Sequence, residues 1–339
     1  MMVKRLKTFG EALVSDPDPS HRSVLLGNGF SRAFSDNFAY SRLRDKAQMP
    51  KLSVPKTKLF ERANSDDFET VMDQLRQAAR LVRLYEGRGS RLERALRADE
   101  RVVKHGLVDA IRLIHPTSAF AVEDAKYSAA RDFLSNFNRI FTVNYDLLLY
   151  WTLQQTSSAS VTRLDGFRRP GGGALRWARP MSKPRQTVFW LHGGVHLFVR
   201  DRKVHKLEVG GGNLLDQLAW NLRQGEVPLV VTEGSTGDKI DRIGRSAYLS
   251  YCHERLRSLR GTLFIHGLAL SPNDDHLIDA LGDEGCKVKT VYVGLHGAPS
   301  QTRSAVKSRA SEIADRRAAA SGPPVKIRFY QAETANVWG

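Results

Sequence analysis

The sequence predicts an α/β fold of the Rossmann-like, doubly wound kind, a mainly parallel sheet with a helical insertion. Short apolar runs alternate with amphipathic stretches along most of the 339 residues, as strands joined by crossover helices do. Several of these runs end abruptly in polar side chains. One long helical stretch, residues 45–136, separates the first two runs. We therefore expect a single domain over residues 1–339, with residues 45–136 inserted into it.

Composition indicates an ordinary soluble globular protein, with 41% hydrophobic and 26% charged residues. The apolar runs are far shorter than the roughly twenty residues that cross a bilayer. No apolar segment follows the charged N-terminus, so we expect no secretory signal, no membrane association and a cytoplasmic location. The two cysteines, Cys252 and Cys286, are too few for a disulfide framework or a cysteine zinc site.

The chain is strongly basic. Its formal net charge is +16, from 52 lysines and arginines against 36 aspartates and glutamates. Such a surplus favours a polyanionic partner or a charged substrate, and an equally good interpretation is a solubilising surface. The sequence is compatible with binding of nucleic acid or a partner protein through the basic surface. It is also compatible with a homo-oligomer.

The first strand follows a short amphipathic helix predicted at residues 4–14 and begins at Ser23. It ends in Gly27-Asn28-Gly29, where glycine lets the backbone turn tightly and approach a ligand closely. A helix starting near Ser31 would direct its first N–H groups at a phosphate. A plain turn is the alternative interpretation of this glycine pair.

Apolar residues recur at helical spacing in three stretches of the insertion, from Phe68 to Tyr85, from Val103 to Ile114 and from Tyr127 to Phe137. Arginines occupy the positions of the first stretch that face away from its apolar side, namely Arg76, Arg80 and Arg83. A solvated face and a contact surface for nucleic acid or a partner are both compatible with this pattern.

The stretch from Arg139 to Asp146 predicts a second buried strand that delivers Asn144 and Asp146 to its carboxyl end, and an apolar helix follows from Leu147 to Leu153. A third strand, Val188–Leu191, delivers His192. His192 and His196 could share a helical face and bind zinc, but Gly193 stands where the metalloprotease pattern requires glutamate, so we expect no metal.

The remaining sequence predicts strands and helices in turn. A β-hairpin with its turn at Asp201-Arg202 is followed by a helix from Leu214 to Leu222 and a strand over residues 227–232. Further strands are predicted at 262–266, 290–293 and 326–330, and helices at 247–256, 277–281 and 299–320. Ligands of such folds bind outside the carboxyl ends of the strands. Polar residues predicted at those ends are Asn28, Asn144, Asp146, His192, Glu233 and His266.

Four of these segments, taken together, resemble the ordered motifs of sirtuin-like domains, and most closely those of bacterial sirtuin-like proteins of antiphage defence. They are Gly27-Asn-Gly-Phe-Ser31, Thr142-Val-Asn-Tyr-Asp146, Leu191-His-Gly193 and Gly267-Leu-Ala-Leu-Ser-Pro-Asn-Asp-Asp-His276. The resemblance covers residues 23 to 280. It implies a Rossmann-like NAD-binding fold that consumes NAD as a substrate.

The resemblance also implies roles for single residues. Asn144 would position a water beside the nicotinamide ribose, Asp146 would face the nicotinamide carboxamide, and His192 would be the general base. The pyrophosphate would be held by the backbone around Gly27, Asn28, Gly29 and Ser31. The adenosine end would be bordered by Gly267, Ser271, Asp275 and His276. Glu233 is a further candidate, which could select against a 2′-phosphate.

Each strand-end residue also has a purely structural interpretation. Asn144 could cap the helix that follows, Asp146 could offset the dipole of that helix, and His192 could be a core histidine with satisfied hydrogen bonds.

Two departures from the resemblance favour water as the acceptor over an acyl-peptide substrate. The two cysteines of the chain cannot form the four-cysteine zinc module of the deacetylating sirtuins. In addition, Asp36-Asn-Phe38 lacks the arginine of their aspartate-phenylalanine-arginine element. We therefore expect an NAD glycohydrolase that acts as a regulated antiphage immune effector. A non-catalytic sirtuin-like module that binds nucleic acid or a partner, and an ADP-ribosyltransferase, are the alternatives.

Overall fold

Eleven strands and thirteen α-helices are found in the computed structural model, which describes residues 5–65, 68–155, 163–180, 186–224, 226, 228–231 and 236–339. The strands are β1 (Arg22–Leu26), β2 (Arg139–Thr142), β3 (Phe167–Arg168), β4 (Arg176–Trp177), β5 (Val188–Trp190), β6 (Gly193–Arg200), β7 (Lys203–Lys206), β8 (Pro228–Val230), β9 (Arg260–His266), β10 (Lys287–Leu295) and β11 (Lys326–Gln331). The helices are α1 (Phe9–Val14), α2 (Gly29–Phe34), α3 (Tyr40–Lys46), α4 (Lys56–Ala63), α5 (Phe68–Glu86), α6 (Arg91–Ile114), α7 (Asp124–Ser135), α8 (Leu148–Gln154), α9 (Leu214–Arg223), α10 (Thr236–Gly244), α11 (Ala247–Arg257), α12 (Asp275–Gly282) and α13 (Gln301–Ala319).

A six-stranded, wholly parallel sheet forms the centre of the molecule, with the strand order β11-β10-β9-β1-β2-β5. Helices flank it, so the fold is the Rossmann-like α/β fold that the sequence predicts. Counted along the chain, this is the order 3-2-1-4-5-6 of dinucleotide-binding proteins, which reverses direction between the first and fourth strands. That reversal lies here between β1 and β9, and β1 is buried along its whole length because helices cover both faces.

The carboxyl ends of the central strands lie at one level. Leu26, the last residue of β1, is paired with Thr142 of β2 on one side and with His266 of β9 on the other. The segments that follow these three strands therefore leave the sheet side by side.

The inserted helices α4 to α7 lie between β1 and β2, as the pattern of residues 45–136 predicts. The predicted stretches correspond to α5, α6 and α7, but α6 begins at Arg91, well before Val103. Its start is fixed by Ser90, whose hydroxyl accepts the Glu93 N–H at 3.1 Å, while the Glu93 carboxylate accepts the Gly89 N–H at 2.6 Å. The short helix α4 was not predicted.

A second, antiparallel sheet has the order β3-β4-β7-β6-β8. The predicted hairpin is β6 and β7, whose turn residues Asp201 and Arg202 both have positive φ, 49° and 60°, as a two-residue hairpin turn requires. The strand predicted over residues 227–232 is β8, and it pairs antiparallel with β6 instead of extending the parallel sheet. An apolar run gives no strand direction, so its sequence could not distinguish these arrangements.

His196 lies within strand β6 and is separated from His192 by extended chain, so these two histidines do not share a helical face. The His196 ring stacks on Tyr150 with 4.6 Å between ring centroids. Both cysteines are buried, as expected of small apolar residues. Within the described part of the chain, no helix combines the length and apolar character that a membrane crossing requires.

Candidate functional site

The candidate site lies at the carboxyl edge of the parallel sheet, where the segments after β1, β2 and β5 run side by side. The Leu191 N–H donates to the Thr142 carbonyl at 2.9 Å, and the Val195 N–H donates to the Tyr145 carbonyl at 2.8 Å. The chain around Asn144 and the chain around His192 are therefore neighbours, although 48 positions separate these two residues.

Three glycines form a close backbone contact where the sheet reverses direction. The Gly29 N–H donates to the Gly267 carbonyl at 2.7 Å, and the Gly27 N–H donates to the His266 carbonyl at 2.9 Å. A Cβ on Gly27 would lie 2.6 Å from the Gly267 oxygen, and one on Gly267 would lie 2.6 Å from the Gly29 Cα. These glycines therefore allow two loops of the protein to contact each other. The sequence had suggested instead that they allow the backbone to approach a ligand.

Ser31, Asn144 and Asp146 form one buried hydrogen-bonded group, which we call the serine-amide-carboxylate group. Ser31 Oγ donates to Asp146 Oδ2 at 2.5 Å and accepts from Asn144 Nδ2 at 3.0 Å. Ser31 is fully buried, and Asn144 and Asp146 are each 7% exposed. Residues from two strand ends, more than a hundred positions apart in sequence, thus form one polar centre.

Asp146 has a second, structural contact that fixes its orientation. Its Oδ1 accepts the Leu148 N–H at 2.9 Å, where α8 begins. The carboxylate therefore satisfies a free N–H of the helix start and also faces Ser31. His115, at the end of α6, accepts the adjacent Leu147 N–H on Nε2 at 2.9 Å, which ties the helical insertion to this turn.

His192 belongs to a second polar group, the histidine group, formed with His276 and His253. The Nε2 atoms of His192 and His276 lie 2.7 Å apart, so one ring donates and the other accepts. The rings are stacked at 4.9 Å between centroids. His253 Nε2 lies 3.2 Å from the His276 carbonyl, and its ring is parallel to that of His276.

Burial lowers the pKa of His192 and of His276 well below the usual histidine value. His276 lowers the pKa of His192 further, and Lys239, which is 1% exposed, and His253 lower both pKa values. Both rings are therefore neutral at pH 7, and the same burial and neighbouring charges oppose protonation of either ring.

The other predicted site residues have partners elsewhere. Asn28 Nδ2 donates to the Phe38 carbonyl at 3.1 Å. Ser271 Oγ donates to Asp274 at 3.0 Å, within the turn that precedes α12. Asp275 forms ion pairs with Arg309 and with Arg316 of α13.

His266 lies at the predicted strand end, but its ring packs away from the serine-amide-carboxylate group. Its Nδ1 lies 2.9 Å from the Tyr330 hydroxyl, and the ring contacts Phe133. Glu233 lies outside the described residues, so its predicted role has no structural counterpart.

Three residues of the site region were not predicted from the sequence, namely His115, Lys239 and His253. They lie within helices α10 and α11 or directly after α6, and helical spacing alone does not show which neighbour they meet. The sequence shows only that each of these side chains is titratable. The structure shows that the fold buries or half-buries each of them, which is typical of residues in functional sites. Among the described residues, no group of three or more histidine, cysteine, aspartate or glutamate side chains is arranged to hold a metal ion.

The fold and the site together define a Rossmann-like α/β protein with a buried polar centre at the carboxyl edge of its parallel sheet. Residues 24–338 match the family described as a domain of unknown function (DUF4917), and the chain belongs to that family. No curated protein matches the sequence.

Proposed function

We propose that the protein is an NAD glycohydrolase, which cleaves NAD to nicotinamide and ADP-ribose. The observation that carries this proposal is the serine-amide-carboxylate group at the carboxyl ends of two adjacent parallel strands, with His192 on the neighbouring segment. Nucleotides bind Rossmann-like folds at this edge of the sheet. The excess of positive charge on the chain, +16, also favours an anionic substrate.

The side chains suit the chemistry of this cleavage. Nicotinamide leaves as a neutral molecule from a cationic pyridinium, so the reaction needs little acid catalysis and instead needs a placed water and a proton acceptor. The Asn144 amide supplies both a donor and an acceptor for a water. His192 is neutral at pH 7, but its lowered pKa makes it a weak base in the free protein, so its action as the proton acceptor requires that the anionic substrate raise this pKa. The oriented Asp146 carboxylate can accept an N–H of the nicotinamide carboxamide.

The burial of the serine-amide-carboxylate group indicates how turnover of NAD could be regulated. Ser31, Asn144 and Asp146 already satisfy one another's hydrogen bonds, so a substrate has to exchange these bonds for its own. We therefore expect low basal turnover and activation by a trigger, as the resemblance to antiphage effectors implies.

The test is nicotinamide release from NAD by the full-length protein, followed chromatographically with and without added DNA or RNA. His192→Gln, which keeps a hydrogen-bonding group beside His276, should lower the rate at least about 100-fold, because general-base catalysis contributes roughly that much. His21→Gln, on an exposed histidine, is the matched control and should keep the wild-type rate.

Two outcomes contradict the proposal. One is a His192→Gln protein with the wild-type rate and melting temperature. The other is a wild-type protein that neither releases nicotinamide nor binds NAD in calorimetry under any of these conditions. ADP-ribose label retained on protein or nucleic acid would instead indicate an ADP-ribosyltransferase.

A further inference from the structure

A concave pocket lined by arginines lies between the helical insertion, α10 and the second sheet. Its volume is about 300 Å³, at the lower end of the range for small-ligand sites. The lining residues are Arg76, Arg80, Val199, Leu229, Asp241, Arg242, Arg245 and Ser246. Four arginines and one aspartate thus line a single concavity, which we call the arginine pocket.

Two of these guanidinium groups are anchored by the fold. Arg76 donates through Nε and Nη2 to Glu100 of α6, at 3.2 and 2.9 Å, and its side chain is only 12% exposed. Arg242 donates through Nε to the Val230 carbonyl at 3.1 Å. Anchored guanidinium groups lose little further freedom when a ligand binds, and their planar geometry matches the oxygens of phosphate.

The pocket also has an apolar side. Val199, on β6, is 52% exposed and lies beside Leu229 of β8. Low-dielectric walls concentrate the field of the surrounding positive charges, which raises the local concentration of anions. This combination suits a phosphate group attached to a small molecule better than the uniformly charged backbone of a nucleic acid.

We propose that the arginine pocket is a binding site for a small phosphorylated ligand, separate from the serine-amide-carboxylate group. Arg80, on α5, and Arg245, just after α10, are exposed residues of the lining and would contact the phosphate from two elements. Lys239, beside the histidine group, and Arg242, in the pocket, lie three positions apart on α10. A bound phosphate would therefore contact the helix that also lines the histidine group.

The test is calorimetric titration of the full-length protein with inorganic pyrophosphate at low ionic strength, without NAD. We expect saturable binding that is weakened at least about tenfold in the Arg80→Gln/Arg245→Gln double variant, because charge-assisted hydrogen bonds are lost. Asp241→Asn should tighten binding, because it removes the one carboxylate of the lining. All these positions are exposed, so the variants should fold, which thermal melting checks.

Two controls make the result specific. Lys326→Gln/Arg328→Gln removes the same charge from exposed positions of β11, at the opposite edge of the parallel sheet from β5, and should leave binding unchanged. The single substitution Lys307→Gln, at an exposed position of α13, should also leave binding unchanged.

Three results would overturn the proposal: unchanged binding in the arginine double variant, equal weakening in the β11 control, or binding of mixed-sequence DNA or RNA with no binding of pyrophosphate. The last result would identify the surface as a nucleic-acid interface.

Discussion

Single glycines determine how closely the loops after β1 and β9 approach each other. In the space where a Cβ of Gly29 would lie, the structure holds the backbone of Gly267, and Gly267 itself has a φ of 68°. Both positions therefore require glycine. Gly29 has no space for a Cβ, and Gly267 has neither the space nor a backbone conformation that other residues readily adopt. The contact also sets the position of α2 and hence of Ser31.

Gly29→Ala should lower the free energy of unfolding by about 1 to 3 kcal/mol, because the added methyl group must push apart two hydrogen-bonded backbone segments. It should also reduce NAD binding, if the proposed function holds, by displacing Ser31. Gly10→Ala is the control, since a Cβ there meets no atom within 4 Å and Gly10 lies in helix α1. Urea denaturation measures both, and a Gly29→Ala protein as stable as the control would contradict the close contact.

At the level of residues, the sequence predicted the members of the serine-amide-carboxylate group because each follows directly from a local pattern. Asn144 and Asp146 end an apolar run, and Ser31 follows a glycine pair. The partners of His192 could not be predicted in this way. His276 was expected at the adenosine end, but the packing of α12 places it against His192. The spacing of residues along the sequence does not show which helix packs against which strand, so this contact could not be predicted.

Among the elements, helix α12 and strand β10 depend on one side chain of helix α13. Arg317 is 1% exposed and donates to the carbonyls of Leu281, at the end of α12, and of Cys286 and Val288, before and within β10. These carbonyls include the helix-terminal acceptors that have no partner within the helix. Arg317 thus joins three consecutive elements through hydrogen bonds to backbone.

Arg317→Met should lower the free energy of unfolding by about 3 kcal/mol or more, because it leaves several buried carbonyls without a donor. Lys307→Met, at an exposed position of the same helix, should change it by less than about 0.5 kcal/mol. Denaturant unfolding followed by tryptophan fluorescence gives both values. Equal effects of the two substitutions would show that Arg317 has no special role.

The elements of the parallel sheet were predictable from the sequence because buried strands are short apolar runs between helical patterns. The second sheet was harder to predict from the sequence. Its strands β3 and β4 are two residues each and lie in a region rich in glycine and arginine. They are fixed by pairing, β3 with β4 and β4 with β7, and not by their own sequence. Helix α10 was missed as well, although it places Lys239 beside the histidine group and Arg242 in the arginine pocket.

For the molecule as a whole, burial of histidines links stability to pH. Burial lowers the pKa of His192, His196, His253, His266 and His276, that of His266 to about 4. A histidine whose pKa is lower in the folded than in the unfolded state stabilises the fold above the unfolded value of about 6.5. That contribution is lost as the pH falls, because the unfolded chain then binds protons that the native protein does not.

The free energy of unfolding should therefore decrease from pH 7 to pH 5. His266 alone should account for about 2 kcal/mol of the loss at pH 5, given an unfolded pKa near 6.5 and a folded value of about 4. His266→Gln keeps a hydrogen-bonding group beside Tyr330 but does not titrate, so its stability should depend on pH less steeply by that amount. Urea titrations at the two pH values measure the slopes, and a His266→Gln protein with the wild-type slope would show that burial of this imidazole is not what makes the fold sensitive to acid.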